Sequence, residues 1–321
     1  MALRVLVSGG AGFIGGHLVG SLLDRGDEVS IVDNFDPFYP ERIKRRALGP
    51  LLTRGARLFE TDIRDEEGVK AAFAAARPEA VVHLAALAGV RPSLVDPQRY
   101  MDVNVRGTAN LLEAARAAGV RRFVFGSSSS VYGARTQAPF RETDRTDSPL
   151  SPYAASKAAG ELLARTFHNL YGLEVVSLRF FTVYGPRQRP DLAIHKFARR
   201  MLAGQSLPFF GDGETRRDYT WVDDILAGVR AAIDKPGLKD EVVNLGGAKT
   251  TSLKDLIALL EDSLGVKAIL DRQPMQPGDV PLTSADVTHG KQVLGYAPNT
   301  PIEVGLKKFA EWMRGEGRDW V

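Results

Sequence analysis

Apolar residues in the first half of the chain come in short continuous runs, each followed by a stretch in which they recur every three or four positions. "RVLVSGG" precedes "FIGGHLVGSLLDRG", "EVSIVDN" follows, and "ARLFETDI" leads to "EEGVKAAFAAAR". "AVVHLAAL" comes next, and "NVRGTANLLEAARAAG" opens onto "RRFVFGSSS". A β-branched run without polar alternation predicts a strand buried on both faces, and the alanine- and leucine-rich stretches between carry the helical period. Strand and helix taking turns in this way predict a parallel sheet covered by helices on both sides. "ASKAAGELLARTFHNLYG" and "EVVSLRFF" add another helix and strand. The fold class expected is α/β, a doubly wound parallel sheet.

After about residue 182 the pattern loosens, with Pro186, Pro190, Pro208 and a "GDGE" turn interrupting shorter elements. Helices are predicted over 191–203, 222–233 and 252–264, and strands near 207–210 and 241–245. These imply a smaller α/β lobe at the C-terminal side that exchanges segments with the first. The chain shows no internal repeat, low-complexity tract or long linker. Ligands of open α/β sheets sit at the carboxyl ends of the strands, here in a cleft beneath the second lobe.

Composition narrows the partners. The 321 residues suffice for one large domain or two of ordinary size, and 44% hydrophobic with 25% charged residues is a globular balance. No apolar run approaches the roughly eighteen residues of a membrane span, and "MALRVLVSGG" runs straight into a strand without a leader layout. The expectation is a cytoplasmic protein with no membrane partner. Without cysteine there is neither disulfide nor thiolate metal site. A net charge of +3 with dispersed arginines and lysines speaks against nucleic acid. The histidines, at 17, 83, 168, 195 and 289, form no HxxxH or HxH pair, so no metal site is expected.

Candidate chemistry starts at "VLVSGGAGFIGGHL", where Gly9, Gly12 and Gly15 follow the first strand and open the first helix. Glycine lets the backbone turn tightly and approach a pyrophosphate, and the helix N-terminus receives its charge. Asp33 ends the second strand eighteen residues beyond Gly15, where a carboxylate accepts hydrogen bonds from an adenosine ribose and repels a 2'-phosphate. No arginine directly follows it, so NAD is preferred over NADP. In "SPYAASK", Tyr153 and Lys157 lie four residues apart and so share a helical face. A cation beside a phenol favours the phenolate and makes a base. By itself the pair also reads as a tyrosine at a core edge with a solvated lysine.

With the glycines, Asp33, a serine-rich strand end and YxxxK in this order, the chain resembles the extended short-chain dehydrogenase/reductase family over nearly its whole length. Within it the chain is similar to the nucleotide-sugar 4-epimerases, through "GGAGFIG", "HLAAL", "NVRGT", "SSSSVYG", "SPYAASK", "RFFTVYGPRQRPD", "FFGDGETRRDYTWVDD" and "NLGG". The resemblance implies a Rossmann-type domain over 1–181, with 219–250 returning to it, and a UDP-sugar lobe from 182–218 and 251–321. It places Phe13, Ile14, Asn34, Asp62, Ile63, Ala85, Ala86 and Asn104 around NAD, with Asp62 at the adenine. Tyr153 would be the acid/base, Lys157 would bind the nicotinamide ribose and lower the phenol's pKa, and Ser128 and Ser129 would meet the substrate. On the residues alone, Asn104 could also be a helix cap and the serine run a polar strand exit. A homodimer is implied through the helices near 101–118 and 154–171.

Related dehydratases carry an Asp-Glu pair, and decarboxylases a glutamate, where this chain has Ser129 and Ser130. Hydroxyls cannot replace a carboxylate as acid or base at neutral pH. "RFFTVYGPRQRPD" is similar to the UDP-glucuronate 4-epimerases, which implies that Thr182 and Arg189 bind the sugar carboxylate. Arg187 and Arg189 can also be solvated or serve the diphosphate. Phe209, Phe210 and Arg217 resemble the family's nucleotide clamp, one of the two rings belonging to the core. Where many relatives read Arg-Pro-Gly-Asp, this chain has Gln276, Pro277, Gly278 and Asp279, with Arg272 a substitute for the missing charge. The expected activity is epimerisation of UDP-glucuronate and UDP-galacturonate; UDP-glucose epimerisation, UDP-glucuronate decarboxylation and a non-catalytic nucleotide sensor are the alternatives.

Overall fold

The computed structural model describes residues 2–275 and 280–320. Six strands open the chain: β1 (Arg4–Ser8), β2 (Glu28–Asp33), β3 (Arg57–Glu60), β4 (Ala80–His83), β5 (Arg122–Ser128) and β6 (Glu174–Phe180). Between them run α1 (Phe13–Asp24), α2 (Glu41–Thr53), α3 (Glu66–Ala76), the short α4 (Val90–Val95) and α5 (Pro97–Met101), α6 (Gly107–Ala117) and α7 (Pro152–Tyr171). Then follow β7 (Thr182–Tyr184), α8 (Ala193–Leu202), β8 (Ser206–Phe210), β9 (Arg216–Arg217), β10 (Tyr219–Trp221), α9 (Val222–Asp234) and β11 (Asp240–Leu245). β12 (Thr251–Ser252), α10 (Leu253–Leu264), β13 (Ile269–Gln273), α11 (Thr288–Leu294) and α12 (Ile302–Arg314) complete the order.

The main sheet has seven strands in the order β11-β6-β5-β4-β1-β2-β3, with every neighbouring pair parallel. Chain order reverses between β1 and β4, which opens a crevice at their carboxyl ends. The unbroken apolar runs find their reason in the two covered faces. Val5 and Val7 of β1 enter one core with Val29, Ile31, Val82 and Val124, while Leu6 enters the other with Val32, Val81 and Phe123. Alternate side chains of one strand thus hold two helical layers.

Helix starts follow local chemistry. Asp65 Oδ1 accepts from Gly68 N at 3.1 Å to begin α3, and Ser151 Oγ accepts from Ala154 N at 3.1 Å to begin α7, with Pro152 in the first turn. The second lobe builds on the parallel pair β8–β13, with α8, α10 and α12 packed together beside it. β11 returns to the main sheet beside β6, whereas β10 pairs with β7 outside it. The periodic stretches form the helices expected, the stretch from Asn104 beginning with a π-helical turn over Asp102–Arg106, whereas α2, α4, α5, α11 and α12 are not among those predicted. Among the described residues no helix is long and apolar enough to cross a membrane.

Candidate active site

A cleft of about 400 Å³ opens at the carboxyl ends of β1, β2, β4 and β5. Its floor is the glycine loop. Gly9 has φ +73°, and a Cβ there would stand 2.6 Å from Ala85 N; a Cβ on Gly15 would stand 2.1 Å from Gly9 O. No side chain fits at either position, so bare backbone faces the cleft. Gly12 caps α1, whose first turn (Phe13, Ile14, Gly15) also lines the cleft with its N–H groups and positive dipole. These features fit a dinucleotide pyrophosphate.

Asp33 ends β2 at the same wall. Its Oδ2 accepts from Ala11 N at 3.0 Å and its Oδ1 from Phe35 N at 2.9 Å, so it braces the glycine loop and keeps further lone pairs for a ribose. Burial raises its pKa, and the Lys44 ammonium opposes that shift. Asn34 Nδ2 donates to Asp62 Oδ2 at 2.7 Å, and Arg64 grips Asp62 with bonds of 3.0 and 2.8 Å. Those bonds hold Asp62 down to about 2, an anion at any working pH. Ile63, Ala85 and Ala86 line the cleft between these two ends. Asn104 does not reach it. Its amide lies buried behind the wall, exchanging bonds of 2.8 and 2.9 Å with the backbone of Leu87 and donating to Ser156 Oγ at 2.9 Å.

At the inner end, Tyr153 and Lys157 project from α7 into the cleft beside Ser128 and Ser129 at the end of β5. The helix can lie this close because Gly160 faces Phe125, where a Cβ would stand 2.3 Å from the ring. Lys157 Nζ donates to Gly126 O at 2.7 Å and sits 5.1 Å from the Phe125 ring centroid. Burial brings its pKa down to about 8 against the field of Glu161. Burial also raises the Tyr153 phenol, while a hydrogen bond with Ser128 and the charge of Arg189 work to lower it. Lys157 thus stands one helical turn from Tyr153 with its amine on the β5 backbone, and the charge of Arg189 adds to the influences that favour the phenolate. Tyr100 braces Tyr153 edge-on, with centroids 6.3 Å apart, and donates its hydroxyl to Ala88 O at 2.8 Å.

Thr182 and Arg189 line the cleft opposite Tyr153. Arg189 holds Asp191 with two bonds, Nε to Oδ1 at 3.0 Å and Nη2 to Oδ2 at 2.7 Å, and stacks on Phe38 at 5.0 Å. Arg187 turns away toward His17, with φ +60° and Nη2 3.3 Å from Nδ1. The expected nucleotide clamp forms a separate group on the second lobe. Phe209 is 4% exposed and belongs to the core, with the Arg272 guanidinium 5.0 Å above it. Phe210 is half-buried and lies 5.9 Å under the guanidinium of Arg91. Arg217 sits on β9 and donates to Arg216 O at 2.8 Å. Gln276, Pro277, Gly278 and Asp279 lie outside the described residues.

Lys44 and Tyr100 were not legible in the sequence. Lys44 Nζ donates to Asp36 O at 2.7 Å beside Asp33, and neither residue stands in a spaced motif. Among the described residues no group of histidines and carboxylates could hold a metal ion.

A doubly wound sheet that brings a bare glycine loop, a carboxylate at the end of its second strand and a Tyr–Lys pair with its lysine buried to one cleft defines a dinucleotide-dependent enzyme. More narrowly, the chain belongs to the NAD dependent epimerase/dehydratase family, whose model matches residues 5–246. It is 41% identical to UDP-glucuronate 4-epimerase 2 of Arabidopsis thaliana, over 98% of this chain and 76% of that protein. The UDP-glucuronic acid 4-epimerase of Bacillus cereus, solved with UDP-glucuronic acid and NAD, superposes with a TM-score of 0.91 at 36% identity, covering 97% and 98% of the two chains. The UDP-glucose 4-epimerase of Thermotoga maritima, solved with UDP-glucose, gives 0.89 at 37% identity, covering 97% and 99%.

Proposed function

We propose that the protein is an NAD-dependent UDP-sugar 4-epimerase that interconverts UDP-glucuronate and UDP-galacturonate. One observation carries the reading: a half-buried phenol lines the dinucleotide cleft beside Ser128, one helical turn from a buried lysine. The glycine loop, Asp33, Asn34 and Asp62 would hold NAD, which when bound accepts a hydride from the sugar C4 and returns it. Tyr153 takes the proton of the C4 hydroxyl and later gives it back, for which its phenolate must be reachable. Arg189 and Ser128 both favour that form. The Ser128 hydroxyl donates to the same sugar oxygen as it becomes a carbonyl, with Ser129 beside it. Lys157, buried and anchored on Gly126, reaches toward the nicotinamide ribose.

Thr182 and the free edge of Arg189 receive the sugar carboxylate, a planar charge-assisted contact suited to guanidinium. Phe210, Arg217, Arg272 and Asp279 hold the nucleotide in this scheme, with Phe209 supporting them from the core. Residues 1–181 with 219–250 form the NAD part and the remainder the UDP-sugar part. The relatives named for UDP-glucuronate favour the acidic sugar, and the Thermotoga maritima enzyme keeps UDP-glucose as the second reading. Ser129 and Ser130 line the cleft where elimination or decarboxylation would require a carboxylate.

The test is to incubate the protein with each UDP-sugar in parallel and separate the products. UDP-glucuronate is expected to turn over with kcat/KM about tenfold or more above UDP-glucose, the worth of one charge-assisted contact. Preference for the neutral sugar overturns the substrate assignment, and carbon dioxide release overturns the reaction.

Homodimerisation and cytoplasmic residence belong to the same proposal. Leu94 and Val95 of α4, Met101 of α5, and Leu162, Leu170 and Tyr171 of α7 leave large apolar side chains exposed on helices that pack on one another. That face suits a second copy of the chain.

A further inference from the structure

Tyr153, Lys157 and Glu161 follow at four-residue intervals along α7 and share the face laid on β5. Glu161 has no place in the chemistry described above. It is nonetheless held on both oxygens. Its Oε1 accepts from Ser127 Oγ and from Arg179 Nε at 2.9 Å, and its Oε2 accepts from Arg179 Nη2 at 2.7 Å. The pair is buried, with side-chain exposures of 9% for Glu161 and 5% for Arg179. Arg179 Nη1 continues to the Tyr132 hydroxyl at 3.0 Å, which donates to Asn244 Oδ1 at 2.7 Å. The chain of bonds therefore joins α7 to β5, β6 and β11 directly beneath the serines that meet the substrate.

We propose that Glu161 is a positioning residue of the reaction: it ties the end of β5 to α7 through Ser127 and supplies the counter-charge for the buried Lys157 ammonium. The inference rests on the reading of Tyr153 and Lys157 as the reacting pair. Two anchors set the register of α7 over β5, Lys157 on Gly126 O and Glu161 on the Ser127 hydroxyl, and they grip consecutive residues just ahead of Ser128. The groups around Lys157 leave the counter-charge to Glu161. His83 on β4 is neutral, its two ring nitrogens bonded to the Ser8 and Thr108 hydroxyls and its pKa pushed down to about 3. Phe125 offers a ring face, Tyr153 is a phenol, and Arg179 is spent on Glu161. Burial lowers Lys157 to about 8 even with the charge of Glu161 opposing the fall.

A buried ion pair can also serve stability alone, so the test separates the two roles. In the full-length protein loaded with NAD, kcat for UDP-glucuronate is measured against pH for wild type, Glu161→Gln and Glu161→Gln/Arg179→Met. Removing the carboxylate charge lets Lys157 lose its proton at lower pH. The alkaline limb of Glu161→Gln should therefore move down by about one pH unit, so that kcat falls about tenfold above the midpoint, with KM and bound NAD unchanged. Glu161→Gln orphans a buried guanidinium and lowers Tm; the double variant removes that charge, so Tm recovers, and its limb lies between those of Glu161→Gln and wild type because a cation has gone with the anion. An alkaline limb at the wild-type position in Glu161→Gln overturns the proposal. Tyr153→Phe is the control, expected inactive at every pH. Activity there would overturn the reading of the site itself, whatever Glu161 does.

Discussion

At the scale of single residues, the site depends on atoms that are missing as much as on those present. A methyl group on Gly15 would fall 2.1 Å from Gly9 O, a backbone atom that cannot swing aside, whereas at Gly12 the same oxygen would be 3.1 Å away. Gly15→Ala should lower Tm, with overpacking costing about 1–3 kcal/mol, and strip NAD from the purified protein, read from the ultraviolet spectrum of the released nucleotide. Full NAD content in that variant would show that the pyrophosphate does not rest on this turn. The glycines were legible from spacing because a missing side chain is written directly in the sequence. The surroundings of Tyr153 were legible only in part. A four-residue interval puts Lys157 on the right face, but the path of its amine to Gly126 O and the approach of Arg189 from thirty-six positions downstream are tertiary facts.

At the scale of elements, α7 serves two surfaces. Its inner face carries Tyr153, Lys157 and Gly160 against β5, and its outer face exposes Leu162 at 64% and Leu170 at 66%. Burying leucine yields about 2 kcal/mol each, so a dimer through this face is expected to need both. For the proposed dimer, Leu162→Glu/Leu170→Glu should lower the sedimentation coefficient to that of a monomer with circular dichroism unchanged. A wild type that already sediments as a monomer, or a variant with an unchanged coefficient, would remove this face from the proposal. The helix itself was readable from its period, its Ser151 cap and Pro152. The short α4 and α5 were not, because six and five residues offer too little period to detect.

At the scale of the whole molecule, buried titratable groups tie stability to pH. His83 titrates near 6.5 when free but only at about 3 when folded, so as pH falls below 6.5 the unfolded chain binds a proton that the native state refuses. Asp62 titrates near 3.8 when free and at about 2 when folded, so its contribution is present above 3.8 and lost as pH falls toward 2. Both act in one direction: Tm should hold down to about pH 6.5 and decline below it. His83→Gln should flatten the upper part of that decline in thermal melts, and an unchanged slope would remove His83 from the account. What the sequence by itself determined is whatever local covalent chemistry writes: the order of strands and helices, the bare glycine turn, the caps, and the spacing that sets Tyr153 and Lys157 on one face. What only the tertiary structure decided is which distant groups meet them. Arg189 lines the same cleft as the phenol, Asn104 stands behind the wall, Phe209 enters the core, and Glu161 couples to Ser127 and Arg179. Those meetings depend on helix rotation, strand order and the closeness of packing, which no single stretch of sequence records.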